Sequence, residues 1–170
     1  MNEQLQNAIS AIKEQFEAQE ETFRGEITLF VTPEQIVEAC RKLRDEFGFN
    51  MLSSLTAVDY WPAEEPRFHA IYQLYSVEGK ITLRLRVPVP GENPALPTIE
   101  GLFPNANWHE RELYDMFGIH IEGHSDLRRI LTPYDWEGHP LRKDYPLGYE
   151  EVQFTFNFDE IDQRKPYVKE

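Results

Sequence analysis

Apolar residues return at three- and four-residue steps at Leu5, Ala8, Ile9, Ile12 and Phe16. That spacing predicts an amphipathic helix over residues 3–19, docked on its own domain rather than on a partner. From Glu26 to Thr32 the step shortens to two, with Ile27, Leu29 and Val31 on one face, as in a half-buried strand. Thr32-Pro-Glu-Gln35 then reads as a helix start, with a capping hydroxyl, a proline at the first helical position and a glutamine three residues beyond the cap. Ile36, Cys40, Leu43 and Phe47 form the buried stripe of that helix, which makes Cys40 a small core residue, and Gly48 ends it.

Residues 51–60, 68–77 and 80–89 each carry strand composition, and Glu78-Gly79 joins the second and third as an antiparallel hairpin. In the last of these Ile81, Leu83, Leu85 and Val87 share one face while Thr82, Arg84 and Arg86 share the other, which is expected to be wet or turned to a partner. The two prolines and two acids between Tyr60 and Pro66 predict a loop. Residues 88–104 hold five prolines and two glycines, so they link rather than build, apart from one helical turn at Thr98–Leu102.

The stretch from Trp108 to Leu131 breaks the usual separation of faces. On a helical wheel Leu113, Tyr114, Met116 and Phe117 make one broad arc, and His109 and Glu110 fall inside it. A helix of this kind either buries ionisable side chains or lends them to another molecule. Beyond it the chain has turn formers, aromatics and charges but no period, and Val152, Phe154, Phe156 and Phe158 alternate near its end. Such a run of phenylalanines would be adhesive in water, so it is expected to lie on a partner or on its own sheet. The sum is an α+β, two-layer domain over residues 1–131, with helices packed on a mixed, largely antiparallel sheet. An extended, irregular C-terminal tail over 132–170 is expected to serve as a docking arm.

Charge narrows the function. Thirty acidic against 17 basic residues leave a net charge of −13, which repels nucleic acid. One cysteine in 170 residues cannot hold an iron–sulfur cluster, a thiolate zinc site or an internal disulfide, and it suits a reducing compartment. The N-terminus lacks the features of a signal or transit peptide, and no segment reaches the roughly 20 apolar residues of a membrane helix, so any membrane link runs through a partner.

His109, His120 and His124 with Glu110 and Glu112 imitate a metal site, which would make the chain a small metal-dependent hydrolase. Adjacent helix positions diverge by about 100°, however, and His120 lies past the helix, so hydrogen-bonding histidines are expected instead. Glu110 and Glu112 point apart and cannot flank one substrate atom. Glu110, Arg111, Glu112, Asp115, Asp126, Arg128, Arg129, Arg142, Lys143 and Asp144 nearly balance in charge. Carboxylate–guanidinium pairs, inside the chain or across an interface, are therefore expected, and these set orientation more than affinity. No nucleophile–base pair, phosphate-cradling loop or nicotinamide fingerprint is present, which favours a scaffold over an enzyme.

Glu110-Arg-Glu112, Asp115-Met-Phe117, His124 and Arg128-Arg-Ile-Leu131, at those gaps, resemble the signature of the 30-kilodalton subunit of respiratory complex I, the bacterial proton-pumping NADH:quinone oxidoreductase. Asp135-Trp-Glu-Gly-His-Pro-Leu-Arg-Lys-Asp-Tyr-Pro146 is similar to the family's continuation. The resemblance implies a stand-alone peripheral-arm subunit on the cytoplasmic side of the bacterial cell membrane. It implies no flavin, cluster or quinone of the chain's own, since FMN, iron–sulfur clusters and quinone are bound by partner subunits. The implied partners are the 49-kilodalton quinone-site subunit and the iron–sulfur subunits. It also implies that Trp108, Glu110, Arg111, Glu112, Asp115, His124, Arg128 and Arg129 form the core of an interface, with His139, Arg142, Lys143 and Asp144 holding the tail. The equivalent subunit of a membrane-bound hydrogenase or a ferredoxin-dependent complex is the nearest alternative, because a cofactor-free subunit leaves the electron donor unnamed.

Overall fold

The computed structural model describes residues 3–63 and 65–146 together with Phe156, Asp159 and Glu160. Helix α1 (Glu3–Phe16) leads into β1 (Gln19–Phe23) and β2 (Glu26–Phe30), an antiparallel pair turned at Arg24-Gly25, where both residues have positive φ as a tight hairpin turn demands. α1 ends at Phe16, short of the residue 19 expected for it, and β1 begins there. All five of its residues are exposed, so no burial rhythm marks it in the sequence.

Helix α2 (Ile36–Phe47) begins later than its cap signal implied. Residues 33–35 form a tight turn, closed by the Gln35 N–H on the Thr32 carbonyl at 3.1 Å, and the first α-helical bond runs from Ala39 N–H to the Gln35 carbonyl at 2.9 Å. Half of the expected capping exchange survives, since Gln35 Oε1 accepts the Thr32 N–H at 3.0 Å. Ile36, Cys40 and Leu43 are fully buried, as their stripe predicted.

Strands β3 (Met51–Asp59), β4 (Phe68–Ser76) and β5 (Ile81–Val89) follow the expected hairpin and face alternation, giving a sheet ordered β1-β2-β5-β4-β3. Only β2 and β5 run parallel, so the sheet is mixed and largely antiparallel. A bulge between Leu52 and Ser54 shifts the phase of β3, so that Leu52 and Leu55 both turn inward although three residues apart. Inward residues of the sheet, among them Leu29, Tyr72, Leu74 and Leu85, share one core with Ile12 of α1, Leu43 of α2 and Leu113 of the third helix.

The linker is more ordered than its prolines suggested. β6 (Ala95–Pro97) pairs in parallel with β7 (His120–Glu122), and the expected helical turn follows at Ile99, whose carbonyl accepts the N–H of Leu102 and of Phe103. Between these short strands lies α3 (Ala106–Phe117), packed on β3 and closed by Gly118 at φ 72°. Residues 132–146 carry no helix or strand. The alternation expected at Val152, Phe154 and Phe158 lies outside the described residues.

On the outer face of the sheet Arg84 pairs with Glu26 at 2.6 Å. Arg86 donates to His69 Nδ1 at 2.9 Å and to the Tyr60 hydroxyl while lying over the Phe30 and Tyr60 rings.

Candidate docking surface

Helix α3 buries two stripes. Ala106, Glu110, Leu113 and Phe117 face the core, and Arg111 and Asp115, one turn apart, face the chain that follows the helix. Trp108 stands out of both at 61 % exposure, with the Arg111 guanidinium 5.4 Å from the centre of its ring. His109 is half-buried rather than set fully in the apolar arc.

Asp115 is the hub of the second stripe. Its Oδ2 accepts the backbone N–H groups of Ile130, Leu131 and Thr132 at 3.0, 2.7 and 2.9 Å, and its Oδ1 accepts Arg129 Nη1 at 2.7 Å and the Thr132 hydroxyl. Three successive N–H groups converging on one carboxylate make a backbone nest for an anion. Burial alone pushes the Asp115 carboxyl up, but Thr132, Arg129 and the Leu131 N–H hold it well below the usual range. Arg129 continues the wiring to the carbonyls of Trp136 and Gly138 at 2.8 and 3.1 Å.

The end of α3 is satisfied by residues from farther along the chain. A helix leaves its last four carbonyls without intrahelical donors. Here Tyr114 O takes the Gly118 N–H at 3.0 Å, Asp115 O takes His139 Nδ1 at 3.0 Å, Met116 O takes the Leu141 N–H at 3.0 Å and Phe117 O takes Arg142 Nε at 2.6 Å. His139-Pro-Leu-Arg142 is therefore a cap supplied from outside the helix, with a guanidinium at the negative end of the helix dipole. The bond to a carbonyl makes Nδ1 of His139 the protonated nitrogen, and burial lowers its pKa.

A second node holds the same segment to the sheet. Arg67 and Asp59 are 4 % and 3 % exposed and pair in a fork, Nε and Nη2 lying 3.1 and 3.0 Å from the two carboxylate oxygens. Arg67 also reaches Asp144 at 2.5 Å, and Asp59 accepts the Lys143 N–H at 2.8 Å. Lys143 thus takes part through its backbone. Asp59 ends β3 and Arg67 immediately precedes β4, where Asp59 is paired with Phe68, a proximity that only the strand register reveals.

The third cluster is the one place among the described residues where metal-type ligands gather. Glu100, Glu110 and His124 bring a ligand atom each within 4.8 Å of one another. His109, Glu112 and His120 are not part of it, and Glu100 had no place in the expected set. Every one of the three is already engaged. Glu110 takes the Ile99 N–H at 2.7 Å and the Thr98 hydroxyl at 2.6 Å, and Glu100 takes the Ser125 N–H at 2.9 Å and Asn107 Nδ2 at 2.8 Å. His124 Nδ1 accepts the Asp126 N–H at 3.0 Å, which fixes the proton on Nε2, where it is donated to the Asn107 carbonyl at 3.1 Å. An Nε2–H has no lone pair to offer a cation, so the cluster works as a hydrogen-bonded joint between the linker, α3 and the residues after β7. Glu110, expected to meet an arginine, takes a backbone N–H and a hydroxyl instead, and burial raises its pKa.

Arg111 also departs from expectation. It donates Nε and Nη2 to the carbonyls of Arg128 and Arg129, both at 3.1 Å, rather than to a carboxylate. Arg128 projects outward and pairs with Asp126 at 2.9 Å, while Glu112 is half-buried on α3 with no partner among the described residues. Arg111, Tyr114, Leu127, Arg128, Arg129 and Tyr134 bound an open cleft of about 490 Å³. Leu131 and Tyr134 stand beside it at 63 % and 94 % exposure. Among the described residues no helix is long and apolar enough to cross a membrane.

Residues 29–151 match the family model described as respiratory-chain NADH dehydrogenase, 30 Kd subunit. The chain is 53 % identical over 150 residues to an NADH-quinone oxidoreductase subunit of Roseiflexus sp. strain RS-1, covering 87 % of this chain and 86 % of the relative. It is 46 % identical over 143 residues to the like-named subunit of Geobacter sulfurreducens, covering 82 % of this chain and 88 % of that one. Among solved structures it is similar to the trypsin-resistant fragment (1-134) of Nqo5, with a TM-score of 0.66, 33 % identity and coverage of 73 % of this chain and 99 % of the fragment. A chain of the membrane-bound sulfane sulfur reductase, an archaeal respiratory membrane complex, shares the fold at a TM-score of 0.74 and 19 % identity over 99 % of this chain and 97 % of that one.

Proposed function

Because the chain belongs to the family of respiratory-chain NADH dehydrogenase 30-kDa subunits, we propose that it is a peripheral-arm subunit without a cofactor or active site of its own. In this reading it sits on the cytoplasmic side of the membrane, packs against the 49-kDa-type quinone-site subunit and contacts iron–sulfur subunits. Flavin, clusters and quinone belong to those partners. It supports electron transfer from NADH to quinone by holding the assembly together.

One observation supports this most directly. The ionisable residues of the signature are spent on internal wiring, Asp115 in its nest, Glu110 and His124 in their joint, and His139 and Arg142 on the end of α3. Facing solvent from the same stretch, beside the polar His120, Glu122, Ser125 and Asp126, are Trp108, Arg128, Leu131 and Tyr134, a mixture of aromatic, aliphatic and guanidinium groups of the sort found at protein interfaces. The remaining signature positions serve that surface by fixing the loop that carries it. Affinity purification from native membranes, with every co-purifying chain identified, tests the reading. Recovery of a 49-kDa-type subunit with cluster-bearing subunits is expected, and recovery of the chain alone or with a single soluble client would contradict it.

A further inference from the structure

The cleft beside α3 is cationic in a chain whose net charge is −13. Three guanidiniums line it. Asp115 answers Arg129 at 2.7 Å and Asp126 answers Arg128 at 2.9 Å, which leaves the Arg111 charge without a carboxylate among the described residues. Arg111 is more than nine-tenths buried and lines the cleft, its Nε and Nη2 are committed to backbone carbonyls, and its Nη1, with no protein acceptor among those residues, keeps access to solvent. A guanidinium charge with no carboxylate of its own and a donor open to solvent is available to an incoming acceptor, and a carboxylate matches its fork best. The walls are not those of a small-anion site. Tyr134 is 94 % exposed and Leu127 is half-buried beside it, with Leu131 bare on the same loop, so apolar surface surrounds the charge. Such surface is stabilised by covering it with another apolar side chain.

We propose that this cleft receives an acidic segment of the partner subunit, one Asp or Glu carboxylate reaching Arg111 Nη1 while a neighbouring apolar side chain packs on Tyr134 and Leu127. The inference rests on the docking role argued above and names the chemistry of what docks. The aspartate nest fixes the backbone of residues 130–132 and Arg129, so the cleft is formed before the partner arrives.

The test uses the whole complex, purified with this chain carrying the photo-crosslinking analogue p-benzoylphenylalanine in place of Tyr134. The expected crosslink joins this position to a peptide of another subunit with an Asp or Glu adjacent to the crosslinked residue. Arg128→Glu, an exposed change that leaves the buried wiring intact, is expected to lower its yield about tenfold, since like charge opposes the incoming carboxylate. A crosslink to a peptide without a carboxylate, a crosslink to residues 147–170 of this chain, or no crosslink in an assembled complex would each overturn the acidic occupant. Those outcomes leave the assembly role standing. Absence of the 49-kDa-type subunit from the purified material strikes the assembly role itself.

Discussion

Asp115 shows why one carboxylate on a helix can matter more than its neighbours. It terminates three backbone N–H groups, one hydroxyl and one guanidinium, so removing it strands several buried donors together. Asp115→Ala is expected to cost about 3–5 kcal/mol in chemical denaturation, the range for removing one member of a buried pair. A loss below about 1 kcal/mol would mean that the nest is no hub. His69 offers a pH test. Burial, with Arg86 beside it, lowers its pKa from 6.5 to about 4. As pH falls the unfolded chain takes up this proton first, so stability is expected to decline from about pH 6.5 to about pH 4 and then to level for this group. NMR titration of the imidazole checks the value, and His69→Gln should flatten that part of the urea-midpoint profile. Asp115 is legible in the sequence because it belongs to the dense, nearly balanced run of charges that carries the family signature. Asp59 and Arg67 are not, since each is an ordinary residue at a loop edge until the β3–β4 register brings them into contact.

The elements repeat that contrast. α2, β4 and β5 announce themselves because they bury one face against a single core, and burial imposes the period. β1 has both faces exposed, and β6 and β7 are three residues long, so none carries a period to find. The end of α3 belongs to the same class, since its cap comes from His139 to Arg142, more than twenty residues beyond the helix and without any pattern of its own. Gly118 is the hinge of that arrangement. A Cβ there would combine φ 72° with contacts of 2.5 Å to His139 and 2.9 Å to Arg142. Gly118→Ala is expected to cost about 1–2 kcal/mol from the backbone conformation alone. It should also speed amide exchange at Leu141 and Lys143, whose N–H groups bond Met116 O and Asp59. Unchanged exchange at both would show that residues 139–144 are held independently of the α3 terminus.

At the scale of the whole molecule, three buried polar joints tie the residues after β5 to the two-layer core: the Asp115 nest, the Arg67–Asp59–Asp144 node and the Glu100–Glu110–His124 joint. Buried polar networks of this kind fix one geometry, which is what the proposed docking role requires of this surface. The balance of charge in the signature was legible as an orienting device, but its direction was not. Most of those groups turn inward to shape the loop, and the outward set is smaller and more aromatic. In the proposed role this surface assembles the complex rather than taking part in its chemistry. Arg128→Ala in the native organism tests it, with the amount of intact complex read on native gels and NADH:quinone turnover normalised to that amount. A fall in assembled complex of about fivefold or more, with turnover per assembled complex within about twofold of normal, is expected for loss of an interface cation. Normal assembly with lost turnover would contradict it.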